Sequence, residues 1–210
     1  MQAPSVEFLK EFESWVFDLQ KRITETLNEI EEDGEFVPHK WERHDGRGHG
    51  IASVIEGKIL EKGGVNVSSL TIPLNKGLYN TMKEKNDIKT LTEDELKDYE
   101  MFACGISSVI HPANPHVPTT HFNYRVLVIV NKVTQEASDW WFGGGADLTP
   151  IYLNEVDAIH FHNTLKMAND PFGTHYFEKF KAVCDDYFCI KYRSKLSHLR
   201  RETRSWRHLH

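Results

Sequence analysis

"GISSVIHPANPHVPTTHFNYRVLVIVNK", residues 105–132, sets two β-branched, apolar runs on either side of a proline-rich segment. The first run, "GISSVIHP", and the second, "YRVLVIVNK", read as strands flanking a loop. Val126 to Val130 is apolar at every position, so this strand should be buried on both faces and lie centrally in a sheet. His111, His116 and His121 stand five residues apart on the stretch, with Pro112, Pro115 and Pro118 stiffening it. His121, Asn123 and Arg125 alternate, so they share one face of a strand. An imidazole, an amide and a guanidinium in one row suit a ligand that carries carboxylates. Arginine offers a two-pronged clamp, and histidine can give or take a proton near neutral pH. Arg125 is expected to leave the sheet at an edge. Its alternative role is a structural ion pair with Asp147 or Glu136.

The pattern changes on either side of this stretch. Phe8, Phe12, Trp15, Val16, Leu19, Ile23, Leu27 and Ile30 recur at helical spacing, which predicts one long amphipathic helix stopped by Asp33-Gly34. Residues 50–72, "GIASVIEGKILEKGGVNVSSLTI", predict two or three antiparallel strands with turns near Glu56-Gly57 and Gly63-Gly64. Thr92 and Glu95 form a capping box that predicts a helix over "TEDELKDYEMFA". "WWFGGGADLTPIYL" reads as a strand broken by its glycines. Two helices follow, "EVDAIHFHNTLKMAN", ended by Asp170-Pro171, and "HYFEKFKAVCDDYF". The fold class is therefore α+β, a large, mostly antiparallel sheet flanked by helices.

The 210 residues are enough for a single domain, and 40 % hydrophobic and 27 % charged residues are ordinary for a globular protein. No uncharged apolar stretch reaches transmembrane length, and the N-terminus lacks the layout of a signal peptide. Cys104, Cys184 and Cys189 form no C-x-x-C pair, which favours a reducing compartment; the expected location is cytoplasmic. The net charge of −6 divides unevenly. Ser194 to His210 carries five Lys or Arg and one Glu, whereas the rest of the chain is strongly acidic, which argues against nucleic acid as a partner.

Metal and nucleotide chemistry fit less well. His160 and His162 lie two apart on a helix and point in different directions. The sequence has no H-E-x-x-H motif, although folding the proline-rich loop back could bring His111, His116 and His121 together. The histidine count keeps a metal-dependent hydrolase as a third reading. "FGGGAD" is neither G-x-G-x-x-G nor a Walker loop; it reads as a tight turn or as a close backbone approach to a bulky ligand.

Residues 41–70, "GISSVIHPANPHVPTTHFNYR", "WWFGGGADLTP", "DAIHFH" and "CDDYFCIKYR" follow one another in an order and spacing that resemble oxygen-dependent coproporphyrinogen III oxidase, from about Phe36 to Arg193. The resemblance implies oxidative decarboxylation of two propionates of coproporphyrinogen III to vinyl groups, giving protoporphyrinogen IX in haem biosynthesis. It implies a homodimer that uses molecular oxygen as co-substrate and no cofactor. By the same resemblance His121 is the proton donor, Asp147 lies near the pocket in a catalytic role, and Ser107, Asn123, Tyr124 and Arg125 bind substrate. Metal ligands described for bacterial relatives would fall on His111, His121 and His160, but the fourth position is Tyr192 here, so no metal is expected. After Arg193 the resemblance ends. The expected organisation is a single domain over 1–193, incomplete at its C-terminus, with 194–210 a basic tail foreign to the family. A catalytically inactive tetrapyrrole-binding or subunit-pairing fragment is the alternative reading.

Overall fold

The structure is a computed structural model that describes residues 3–188, except 85 and 87, together with the backbone of residues 204 and 205. Helix α1 (Val6–Asn28) opens on Ser5, whose Oγ accepts the Phe8 N–H. Then come β1 (Val37–Glu42), β2 (Gly48–Ile55), β3 (Leu60–Pro73), α2 (Lys76–Lys83), β4 (Tyr99–Pro112), β5 (Thr119–Asn131), β6 (Ala137–Thr149), α3 (Glu155–Asn169) and α4 (Tyr176–Tyr187). A two-residue strand β7 (Arg204–Ser205) pairs with Asp147 and Ala146. The strands form one antiparallel meander in the order β1 to β7.

Strand alternation sends Val65, Val67, Cys104, Ile106, Val126 and Val128 to one face, where they bury against Val16 of α1. On the same face Ala146 meets Phe177, Phe180 and Cys184 of α4, with Phe161 and Leu165 of α3 packed against them. Across the sheet, Met101, Ile129 and Trp141 bury against Tyr79 and Met82 of α2 and against Ile88, Leu91 and Leu96. That second layer covers only one end of its face. Among the described residues no helix packs on the other end, which carries Arg125.

The predicted α+β plan matches this architecture. α3 occupies the predicted stretch, and β5 lies between β4 and β6 with Val126, Val128 and Ile129 fully buried. Several local expectations are corrected. The capping box forms, with Thr92 N–H and Oγ1 donating to Glu95 Oε2 at 2.7 and 2.8 Å, but it opens a single 3-10 turn, Glu95–Asp98. From Tyr99 the chain is strand, because Tyr99, Met101 and Cys104 alternate into two cores. Gly63-Gly64 is no turn but part of β3, and the glycines of β6 do not break it. β1 and α2 are additional elements. Cys104 and Cys184 are both buried. Cys189, Tyr192, the boundary at Arg193 and the basic tail lie outside the described residues, apart from the backbone of Arg204 and Ser205.

Candidate active site on the open sheet face

His121, Asn123 and Arg125 lie on one face of β5, as their alternation requires. Arg125 sits in mid-sheet, contrary to the edge position expected, paired with Gly105 of β4 and Gly143 of β6. Those two glycines make the position possible. A Cβ on Gly105 would come within 2.6 Å of Arg125 Cβ, and one on Gly143 within 3.3 Å of Arg125 Nε. The stem therefore lies where neighbouring side chains would otherwise stand. The guanidinium remains exposed, and its Nη1 donates to Asn123 Oδ1 at 2.9 Å. Glu136, one suggested structural partner, lies in the turn at the far end of β5, where its carbonyl accepts the Asn131 N–H.

Antiparallel pairing places Asp147 of β6 directly opposite His121 and Ser107 of β4 directly opposite Asn123. Paired residues point to the same face, so His121, Asp147, Ser107, Asn123 and Arg125 converge. Asp147 Oδ2 accepts from Thr149 Oγ1 at 2.6 Å. Tyr124 does not join them. It points to the opposite face, stacks on Phe122 with ring centroids 5.6 Å apart and covers Gly144, where a Cβ would fall 2.7 Å from its Cδ1. Burial, and secondarily Cys184, pushes its phenol above the ordinary range.

The histidines disperse. His111 ends β4 on the site face, 3.4 Å from Thr119 Oγ1, whereas His116 stacks on Tyr152 in the turn region, ring centroids 4.9 Å apart. His160 is exposed on α3, which packs with α4 on the opposite face. Among the described residues no three His, Cys, Asp or Glu side chains are grouped to hold a metal ion.

Fold and site together define an antiparallel-sheet protein presenting a guanidinium, an amide, a hydroxyl, an imidazole and a carboxylate on a glycine-rich face. Comparison with known sequences makes the class specific. The coproporphyrinogen III oxidase family profile matches residues 11–198, and the chain belongs to that family. It is 41 % identical over 184 residues to the mouse protein "Oxygen-dependent coproporphyrinogen-III oxidase, mitochondrial", covering 87 % of this chain and 40 % of the relative. It is 43 % identical over 182 residues to the Drosophila melanogaster oxygen-dependent coproporphyrinogen-III oxidase, 86 % of this chain and 45 % of that one. The human relative, also named mitochondrial, is 40 % identical over 181 residues, 86 % of this chain and 38 % of the relative. The chain thus spans less than half the length of each of these relatives.

Proposed function

We propose that the chain provides the propionate-handling face of an oxygen-dependent coproporphyrinogen III oxidase acting in haem biosynthesis. The observation that carries the proposal is the placement of Arg125, Asn123 and His121 in one row with Ser107 and Asp147 on their flanks. Each turnover at a propionate has a fixed balance: the side chain loses carbon dioxide, one β-hydrogen and two electrons, leaving a vinyl group. Molecular oxygen takes up the electrons and two protons, leaving as hydrogen peroxide. On this reading no cofactor takes part.

Arg125 holds the carboxylate and Asn123 steadies the guanidinium, so that the β-carbon is held in one place before bond breaking. His121 supplies or receives the proton, being the titratable group of the row suited to transfer near neutral pH. Asp147 accepts pyrrole N–H groups and favours the positive charge that develops as electrons leave the ring. Ser107 donates to substrate. Tyr124, on the far face, serves the site by fixing the strand through Phe122 rather than by contact.

The test is to incubate the purified chain with coproporphyrinogen III and oxygen and to separate the products. Vinyl-bearing product with carbon dioxide release would establish turnover by this chain; neither product nor binding would overturn the proposal. A second reading, binding without turnover, is favoured by the share of the relatives that the chain spans. Tight binding with no vinyl product would establish it. A homodimer and a cytoplasmic location belong to the proposal as well. Sedimentation checks the first. Fractionation checks the second against the mitochondrial designation of the mouse and human relatives.

A further inference from the structure

The register carries the Arg125 face sideways across the sheet. Ser107 pairs with Asn123 on one side and Asn66 on the other; Gly105 pairs with Arg125 and with Ser68. Ser68 pairs in turn with Gly50, and Gly50 with Trp41. Adjacent strands are about 4.8 Å apart, so Trp41 and Arg125 stand on strands roughly 19 Å apart. The rung between them is Gly50, Ser68 and Gly105, with the Arg125 stem lying over Gly105 and the Ser68 hydroxymethyl the one side chain the rung itself supplies. The Trp41 indole closes its end, lying over Gly50 so tightly that a Cβ there would fall 2.6 Å from Cζ2.

Asn66 borders this rung. It is exposed in the middle of β3, a position where asparagine is disfavoured by strand propensity. Its amide leans over Gly64, whose Cβ would lie 3.5 Å from Asn66 Nδ2. Gly64 pairs with Val109, and Val109 with His121, so the amide leans along β3 toward the rung of His121, with Val109 between the two. Among the described residues neither the Asn66 amide nor the Ser68 hydroxyl is engaged in holding the fold. Asn66 and Arg125 stand two strands apart, their backbones roughly 10 Å from one another, with Ser107 and Gly105 of β4 between them.

We propose that Asn66, with Ser68 beside it, is a second carboxylate anchor, donating hydrogen bonds to a propionate of the tetrapyrrole other than the one held by Arg125. The inference rests on the reading of this face as a tetrapyrrole site. It gives that reading a specificity element: a ligand with carboxylates spaced around a broad ring engages both anchors, whereas a small monoacid engages one.

The probe is coproporphyrin III, the stable oxidised tetracarboxylate, titrated into the 210-residue chain by fluorescence. Asn66→Leu should weaken binding roughly 10-fold, the scale of one hydrogen bond to a charged acceptor, and Asn66→Ser should restore part of it. Asn66→Asp, which places like charge against the carboxylate, should weaken it further, with the loss shrinking as salt rises. Thermal melts verify folding, and if the leucine variant fails to fold the serine and aspartate variants carry the test. Equal binding by all Asn66 variants, with Arg125→Lys weakened, overturns the second anchor and leaves the site reading intact. No binding by the unmodified chain overturns the site reading and this inference with it.

Discussion

Arg125 Nη1 donates to Asn123 Oδ1 at 2.9 Å along one face of β5. The bond orients the amide, because an oxygen turned toward the guanidinium leaves the Asn123 N–H2 turned away from it. A planar guanidinium held in this way can grip a carboxylate through two parallel N–H groups, which the point charge of lysine cannot imitate. Arg125→Lys should therefore raise the dissociation constant for a tetrapyrrole carboxylate by about ten- to a hundred-fold, corresponding to roughly 1.5–3 kcal/mol. Unchanged affinity in a folded Arg125→Lys chain would show that the arginine has a structural role.

His121 faces Asp147 across the β5–β6 ladder. Under the proposed proton-transfer role, replacement of His121 by alanine should lower turnover by about 10²- to 10⁴-fold while sparing substrate binding. The measurement is single-turnover product formation beside a binding titration, in a form that turns over. Loss of binding in parallel with turnover would assign His121 to substrate holding instead.

Gln20 is 3 % exposed, and its Nε2 reaches Val65 O at 2.6 Å, Ile51 O at 2.9 Å and Ser53 Oγ at 3.3 Å. The amide ties α1 to β2 and β3 beneath the site-bearing sheet. Gln20→Leu keeps most of the volume but removes the donor, so about 1–3 kcal/mol of stability should be lost in denaturant melts. Gln20→Ala should lose more, since a cavity is added to the lost bonds. Melts unchanged by Gln20→Leu would mean that packing alone fixes α1.

The row on β5 was legible in the sequence because it depends on period-2 alternation alone, and the end of α3 because Asp170-Pro171 stops it. Other features depended on partners distant in sequence. Arg125 occupies mid-sheet only because Gly105 and Gly143, on separate strands, make room for it. Thr92 and Glu95 are a sound local start signal, yet burial of Tyr99 and Met101 against α2 and its following segment overrides the helix. β1, "VPHKWE", is an edge strand exposed at most positions, so it lacks the apolar alternation that identifies strands. Asn66 and Ser68 alternate on the same face in "GVNVSS", but only the register to Ser107 connects them with the site.

Cys104 is 1 % exposed beneath α1. Burial, and to a lesser degree Glu13, pushes its thiol up to about 12, so it holds almost no thiolate at neutral pH. Iodoacetamide at pH 8 should leave Cys104 unmodified in the native chain and label it once denaturant is added, as read by peptide mass spectrometry. Rapid native labelling would mean that the α1 layer opens readily.

Glu31 closes the link between the end of α1 and the β2–β3 turn. Its carboxylate accepts backbone N–H groups from Leu60 at 2.7 Å, Lys58 at 2.9 Å, Ile59 at 3.1 Å, Glu32 at 2.9 Å and Asp33 at 3.1 Å. The Leu60 bond foremost, with those of Ile59, Asp33 and Glu32, holds its pKa down from 4.5 to about 2. A carboxyl whose pKa is lower folded than unfolded contributes stability that is fully present above the unfolded value. That contribution fades as pH falls through the folded one. The Glu31 contribution should accordingly be complete above about pH 4.5 and disappear toward pH 2. Glu31→Gln should lower the melting temperature at neutral pH and flatten its decline over that acid window. Gly57→Ala offers an independent check, since a Cβ there would fall 2.5 Å from Glu31 Cδ and push the carboxylate from its seat. It should lower the neutral-pH melt in the same direction as Glu31→Gln, and combining the two should add little, because both remove the same set of bonds. Fully additive losses would mean that Gly57 is required for the turn itself and that the carboxylate latch is a separate contribution.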